Sequence, residues 1–230
     1  MPLPAKITRP QPTRVLARTR LFRQLDGARK HPVIWITAPP GAGKTILVSS
    51  YLNQRKLKNL WYQVDEGDAD VAVLFHYLGL AVKKAVPRTR KPLPRLSPEY
   101  LPSLAIFARR YFQDLYSRLK PPFVLVLDNY QEAPMDTQFQ EVVAARLTEL
   151  PQGGNAILIS RSDPPPAFAS LRAHEAISLL DWNELKLTCN ARFGMRPVLE
   201  RQQRKRKWRS MKRRKSFKIS RGSWIAGQRS

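Results

Sequence analysis

The fold is decided by Val33-Ile-Trp-Ile-Thr37 and the stretch that follows it, Ala38-Pro-Pro-Gly-Ala-Gly-Lys-Thr45. The first five residues are apolar, rich in β-branched side chains and bounded by prolines, which is typical of a buried strand. The next eight match G-x-x-x-x-G-K-[ST] at every defined position except the first, where Ala38 replaces glycine. A helix is predicted from Gly43 to Gln54. Strand, glycine-rich loop and helix therefore arrive in the order that a phosphate-binding loop requires.

Each residue type in this loop has a chemical reason to be there. Glycine permits the dihedral angles and close approach by which backbone N–H groups surround phosphate oxygens. The lysine ammonium suits the β and γ phosphates, and the threonine hydroxyl suits Mg²⁺. A chance glycine-rich turn is the alternative interpretation, and the flanking strand and helix argue against it. The predicted nucleotide-binding residues are Pro40, Gly41, Ala42, Gly43, Lys44 and Thr45.

A carboxylate for the metal is expected at the end of a neighbouring strand, and Phe123-Val-Leu-Val-Leu-Asp128 supplies one. Asp128 is the predicted second magnesium ligand beside Thr45. Many ATPases carry a second acid at the next position to activate water, but this chain has Asn129, which cannot accept a proton. Glu132 could replace it only if the loop folds back. The sequence therefore predicts ATP binding with slow or absent hydrolysis.

Arg161 follows a further apolar run, Ala156-Ile-Leu-Ile159, in the segment Ser160-Arg-Ser-Asp-Pro. A basic side chain at the tip of a strand beside the metal-binding strand can sense a γ phosphate. Arg161 is accordingly a candidate catalytic residue together with Asp128. The alternative is an arginine in a proline-rich surface loop.

Strands and helices alternate outward from this motif. Further strands are predicted at residues 60–64, 123–127, 156–159 and 176–180, and helices at about 14–25, through 74–82, at 100–119 and at 139–150. Apolar strands alternating with helices predict an α/β fold with a three-layer parallel sheet covered by helices on both faces.

Charge is the unusual feature of the composition. Hydrophobic residues make up 43% and charged residues 25%, as in an ordinary globular chain, but the net charge is +24. Residues 61–188 are nearly neutral, with 14 basic and 15 acidic residues, whereas residues 189–230 hold 15 basic and one acidic residue.

The lone Cys189 excludes an internal disulfide, and three scattered histidines indicate no metal cluster. No apolar run reaches membrane-spanning length and no secretory signal is evident, so no membrane partner and a cytoplasmic location are expected.

Six segments follow one another in a characteristic order along the chain. They are Lys6-Ile-Thr-Arg-Pro10, Arg18-Thr-Arg-Leu-Phe-Arg-Gln-Leu25, the phosphate loop, Trp61-Tyr-Gln-Val-Asp-Glu-Gly-Asp68, Val124-Leu-Val-Leu-Asp-Asn-Tyr130 and Ser160-Arg-Ser-Asp-Pro-Pro165. In this order they resemble the N-terminal ATPase domain of MalT-like regulators, and the resemblance covers residues 5 to 188. These regulators are large LuxR-type bacterial transcriptional activators of the signal-transducing (STAND) branch of AAA+-like P-loop NTPases.

The resemblance implies that ATP binding is the working event, shifting a closed monomer toward a multimer that activates transcription. Lys44 and Thr45 match the family's phosphate-loop pair, Asp128 the magnesium ligand and Arg161 the sensor arginine. The segment Arg18 to Arg23 corresponds to the helix beside the nucleotide base. Asn129 departs from the family's second aspartate.

Members of that family continue into further domains that include the DNA-reading one, whereas this sequence changes character after Thr188. We expect residues 1–30 to form a lead-in and helix, 31–188 the P-loop NTPase domain and 189–230 a basic tail. Three interpretations of the tail stay open: an out-of-frame product of a truncated gene, a basic arm that binds nucleic acid non-specifically through residues 201–218, or a membrane-binding element.

The chain is thus expected to be an ATP-binding regulatory domain without a DNA-binding domain. The alternatives are a basic nucleic-acid-binding protein and an active P-loop ATPase.

Overall fold

A computed structural model describes residues 4–11, 18–87, 91–134, 138–181 and 183. The chain divides into two units, Met1–Lys186 and Leu187–Ser230, and all described residues belong to the first. The predicted basic tail therefore lies outside the described residues.

Five parallel strands form one sheet in the order β2-β3-β4-β1-β5. They are β1 Val33–Thr37, β2 Lys58–Gln63, β3 Phe123–Asp128, β4 Gly154–Ser160 and β5 Ile177–Leu180. β1 lies between β4 and β5, with Val33 opposite Ala156 on one side and Ile177 on the other. Because the strands are parallel, their carboxyl ends share one edge of the sheet, and the loops after β1, β3 and β4 meet there.

Within the part of the chain that the structure describes, six α-helices connect the strands or flank them. They are α1 Thr19–Ala28, α2 Lys44–Gln54, α3 Val71–Ala85, α4 Leu104–Leu119, α5 Gln138–Leu147 and α6 Ala169–Ala173. Asp70 caps α3, since its carboxylate accepts a hydrogen bond from the Ala72 N–H at 2.9 Å. Among the described residues, no helix is long and apolar enough to cross a membrane.

Along each strand, successive side chains point to opposite faces of the sheet. They therefore pack into two separate hydrophobic cores, one on each face. Ile34 and Ile36 pack with apolar residues of α1 and α2 on the first face. Trp35 packs on the second face with residues of α3, α4 and α5. Every residue of β3 and β4 is buried. The predicted α/β fold with helices on both faces of a parallel sheet is confirmed.

Two helices start later than the sequence pattern predicts. α1 begins at Thr19 rather than near residue 14, and residues 12–17 lie outside the described residues. α4 begins at Leu104 rather than Tyr100, because residues Pro98–Ser103 form a 3-10 turn. Pro102 disfavours α geometry at the residue before it, Leu101, which works against an α-helix that begins at Tyr100.

An N-terminal segment, residues 4–11, packs against β2, the strand at one end of the sheet order, and is held there by a buried charge pair. The Lys6 ammonium lies 3.0 Å from Asp68 Oδ2 and 2.6 Å from Asp65 Oδ1. The Asp68 side chain is fully buried, and the Tyr62 hydroxyl donates to its other oxygen. At its far end the segment reaches α2, where the Ser49 hydroxyl donates to the Pro10 carbonyl.

Candidate functional site

The loop between β1 and α2 has the backbone conformation that its glycines predict. Gly41 and Gly43 have φ values of 75° and 76°, in the left-handed region that favours glycine. Ala38 is 2% exposed and is not among the residues with positive φ, so its side chain fits this position without backbone strain. The departure from glycine at the first position of the motif is therefore compatible with the loop.

Lys44 begins α2 and turns its ammonium back over the loop. Its Nζ donates to the carbonyl oxygens of Ala38 and Pro39, the latter at 3.0 Å. Burial lowers the pKa of Lys44, the nearby Arg161 cation lowers it further, and the Asp128 carboxylate acts in the opposite direction. Lys44 is thus close enough to both Arg161 and Asp128, at the carboxyl edge of the sheet, for their charges to act on it.

Asp128, at the end of β3, meets Thr45 at the start of α2. The Thr45 hydroxyl donates to Asp128 Oδ1 at 3.1 Å, and the Asn129 N–H donates to the same oxygen at 3.0 Å. The Asp128 residue is 4% exposed. Burial raises the pKa of Asp128, while these two hydrogen bonds and the Lys44 ammonium lower it. The sheet thus brings together two predicted magnesium ligands that are 83 residues apart in sequence.

The turns after β3 and β4 are joined by side chains. The backbone N–H of Arg161 donates to Gln131 Oε1 at 3.1 Å, and Gln131 in turn donates to Glu132 Oε1 at 3.1 Å. The Arg161 guanidinium lies 3.8 Å from Glu132 Oε1, and both side chains are substantially exposed. Glu132 therefore folds back toward the strand tips, where it contacts the predicted sensor arginine.

Two contacts of this site have no signal in the sequence motifs. The indole N–H of Trp35 donates to the Ser162 carbonyl at 3.0 Å, which holds the loop after β4 against β1. Gln131 bridges to Arg161 through a side-chain amide that no motif defines. Glutamine and serine are common loop residues, so only the three-dimensional neighbours reveal these roles.

Arg18, just before α1, lies against the phosphate loop. A Cβ placed on Gly43 would stand 3.2 Å from Arg18 Nη2, so the guanidinium occupies the space beside this glycine. Burial lowers the pKa of Arg18. The basic segment expected beside a nucleotide thus begins with a half-buried cation next to the glycine that precedes Lys44.

The described residues contain no group of three or more His, Cys, Asp or Glu side chains that could hold a metal ion. A magnesium ion at Thr45 and Asp128 would therefore take its remaining ligands from phosphate oxygens and water, as Mg²⁺ does at nucleotide sites. One carboxylate and one hydroxyl are the donor set that such an ion needs from the protein.

No protein-family model matches the chain. Among solved structures, it is similar to the Walker-type ATPase PABY2304 of Pyrococcus abyssi, with a TM-score of 0.47 and 15% identity over 79% of this chain and 58% of that one. It is also similar to the Aeropyrum pernix ORC1 protein in complex with DNA, with a TM-score of 0.44 and 17% identity over 72% and 45% of the two chains.

Curated relatives give a more specific similarity. The chain is 27% identical over 191 residues to the HTH-type transcriptional regulator MalT of Cronobacter sakazakii, which covers 82% of this chain and 21% of that protein. It is 27% identical over 188 residues to the MalT regulator of Yersinia enterocolitica, covering 80% and 20%. The expected resemblance is confirmed: over about four fifths of its length the chain is MalT-like, and it spans about a fifth of the length of the regulators that it matches.

Proposed function

We propose that this chain is the ATP-binding regulatory domain of a MalT-like transcriptional regulator, with residues 31–188 as the nucleotide-binding domain and residues 1–30 as its lead-in. The observation that carries the proposal is the 3.1 Å hydrogen bond between Thr45 and Asp128. It joins the end of the phosphate loop to the acid of a different strand, which is the pairing that a magnesium nucleotide needs.

The proposed roles follow from the donor groups. The backbone N–H groups of residues 41–45, at the start of α2, would donate to the phosphates, and Lys44 would exchange its two carbonyl partners for phosphate oxygens. Thr45 and Asp128 hold Mg²⁺, which neutralises phosphate charge when bound. Arg161, tied to the tip of β3 through Gln131, is the proposed sensor of the terminal phosphate.

Binding rather than turnover is the proposed signal. Asn129 occupies the position of a second acid and has no basic oxygen that can take a proton from water. Glu132, the nearest replacement, lies beside Arg161 and Gln131. We therefore expect a long-lived ATP complex, with self-association in the complete regulator as its output. The chain would contribute the nucleotide-binding part of that cytoplasmic regulator.

A Lys44→Ala variant tests the proposal. Removing the ammonium deletes charge-assisted hydrogen bonds to phosphate, which we expect to weaken ATP binding at least about a hundredfold, or about 3 kcal/mol. Titration calorimetry with ATP and Mg²⁺ measures it. Lys30→Ala, which removes an exposed lysine outside the site, is the matched control. Undiminished ATP affinity in Lys44→Ala would contradict the site.

The two alternative functions make different predictions for the same protein. An active ATPase would release phosphate steadily in the presence of ATP and Mg²⁺, whereas the proposed binding domain would not. A basic nucleic-acid-binding protein with an incidental phosphate loop would bind DNA equally well with or without Lys44 and would show no ATP binding. Phosphate release and ATP affinity, measured side by side, separate the three.

A further inference from the structure

A second concave surface lies on the opposite face of the sheet from α2. It is a cavity of about 520 Å³ between α3, the loop of residues 91–96 and the end of α4. Its lining residues Phe75, Val82 and Leu93 belong to the core on the α3 face, whereas the phosphate-loop helix packs on the other core. The cavity is therefore separate from the proposed nucleotide site.

The inner wall of the cavity is apolar. Phe75, Leu80 and Val82 line it from α3, Val86 lines it from the residue that follows the helix, and Leu93 closes it from the loop. Gly79 lies in the middle of the same helical wall and has no side chain to fill the space. The volume lies within the range of roughly 300 to 1,000 Å³ that is usual for small-molecule sites.

The loop that forms the outer wall is anchored. Leu93 is 8% exposed and packs in the core. The Arg118 guanidinium, on a side chain that is 10% exposed, pairs with Asp114 and also donates to the carbonyl oxygens of Lys91 at 2.6 Å and Pro92 at 3.3 Å. An arginine with this many fixed partners holds the loop in place, so the cavity is part of the fold and not a gap beneath a loose segment.

The rim of the cavity is cationic. Lys83, Lys91 and Arg95 line it and are exposed, and none of the described residues that line it is acidic. Between Asp70 and Glu99 the sequence holds six lysines and arginines and no acidic residue. A bound group near this rim therefore meets positive potential that no neighbouring acidic side chain of the lining cancels.

We propose that this cavity binds a small amphipathic anion, a molecule with an apolar body and one carboxylate or phosphate group. The apolar body would lie against Phe75 and Leu80, and the anionic group would lie at Lys83 and Arg95. A nucleic-acid backbone fits less well, because it presents charge without an apolar body to fill a concave wall. The site is independent of ATP binding at the phosphate loop.

The test uses the full-length chain with decanoate as the anionic probe and 1-decanol as its uncharged counterpart. Displacement of the fluorescent dye 8-anilinonaphthalene-1-sulfonate reports binding. We expect decanoate to bind at least tenfold more tightly than decanol. Lys83→Glu and Arg95→Glu should each weaken decanoate binding at least fivefold, and Arg110→Glu, an exposed charge reversal on α4 outside the cavity, should leave it unchanged.

A cavity-filling variant tests the position of the site. Gly79→Leu adds an isobutyl group to the wall, and a Cβ at this residue meets only the Tyr111 hydroxyl at an ordinary 3.4 Å. It should abolish decanoate binding while ATP affinity stays unchanged. If Gly79→Leu fails to fold by circular dichroism, Leu80→Trp replaces it as the filling variant.

Three results would overturn the proposal. They are equal binding of decanol and decanoate, a loss in Arg110→Glu as large as in Lys83→Glu, and unchanged decanoate binding in the filling variant. A labelled DNA duplex whose binding depends on Lys83 and Arg95 but not on the filling variant would assign this face to nucleic acid instead. None of these results bears on the Lys44 experiment, so the cavity and the nucleotide site are tested independently.

Discussion

Asn129 sets the chemistry that is open to the proposed nucleotide site. It follows the buried Asp128 directly and adopts φ of 59° and ψ of 38°, a left-handed conformation that asparagine and aspartate tolerate better than most residues. An aspartate can therefore take its place without rebuilding the turn. Under the proposed function, the side-chain amide and not the backbone conformation is what limits hydrolysis at this position.

Asn129→Asp should convert ATP binding into turnover. A carboxylate beside the proposed metal site can accept a proton from water, and general-base catalysis typically contributes about a hundredfold or more to the rate. We expect phosphate release to rise at least about tenfold, measured under saturating ATP and Mg²⁺. Asn129→Gly, which accepts the same φ but supplies no base, is the matched control. Equal rates in the two variants would contradict this role for position 129.

Asp128 is a buried acid whose ionisation lowers the stability of the folded chain. Burial raises its pKa above the ordinary value, so between that value and the raised pKa the folded chain holds a proton that the unfolded chain has lost. This group therefore lowers stability as the pH rises through that window, and the loss persists at neutral pH. The destabilisation is absent below the ordinary pKa, where both states are protonated.

Asp128→Asn should stabilise the nucleotide-free protein at neutral pH, on the order of 1 kcal/mol, because a neutral amide can still accept from Thr45 and Asn129. Urea unfolding at pH 7 and at pH 3 measures the gain, which should shrink at the lower pH. The same variant should lose the magnesium dependence of ATP binding. A variant that is less stable than the parent at pH 7 and insensitive to pH would refute this assignment of the raised pKa.

At the scale of elements, the N-terminal segment depends on the charge pair of Lys6 with Asp68. Both groups are nearly or fully buried, and the Tyr62 hydroxyl and the Asp65 N–H also bind the Asp68 carboxylate. Removing one member of such a pair leaves the other charge buried, which costs more than the pair contributes when intact.

Lys6→Ala should destabilise the chain by about 3 kcal/mol, in the range measured for breaking buried pairs. Urea denaturation reports the change. Lys84→Ala, which removes an exposed lysine from α3, should change stability by less than about 0.5 kcal/mol. The double variant Lys6→Ala with Asp68→Asn should recover part of the loss. Failure to recover any of it would show that Lys6 acts through packing alone.

The sequence predicts the five strands closely because each contains a short apolar run between turn residues. The sequence predicts helix starts less well. α4 begins about one turn later than expected, after Pro102, and no local sequence pattern indicates the 3-10 geometry of residues Pro98–Ser103. The loop and Asp128 could be placed at one edge of the sheet by motif and parallel topology. The Lys6 to Asp68 pair and the Gln131 bridge could not, because they join ordinary residues distant in sequence.

At the scale of the whole molecule, the net charge of +24 is distributed unevenly along the chain, and the nearly neutral and strongly basic parts have different expected partners. Deleting residues 189–230 removes 15 basic residues and one acidic residue, so DNA affinity at low salt should fall at least about tenfold, since phosphate contacts dominate non-specific binding. ATP affinity should stay within about twofold. Fluorescence anisotropy over a salt series and calorimetry measure the two. An ATP affinity that falls with the deletion would mean that the tail supports the nucleotide site.

The strand order has a consequence for biosynthesis. β1 carries the phosphate loop and is made first, yet its two neighbours, β4 and β5, start 121 and 144 residues after it. While the chain emerges from the ribosome, β2 and β3 can pair as soon as both are out, but β1 must wait for residues 154–180. The nascent phosphate loop therefore gains its support last, so competence to hold a nucleotide should appear only when translation has passed β5.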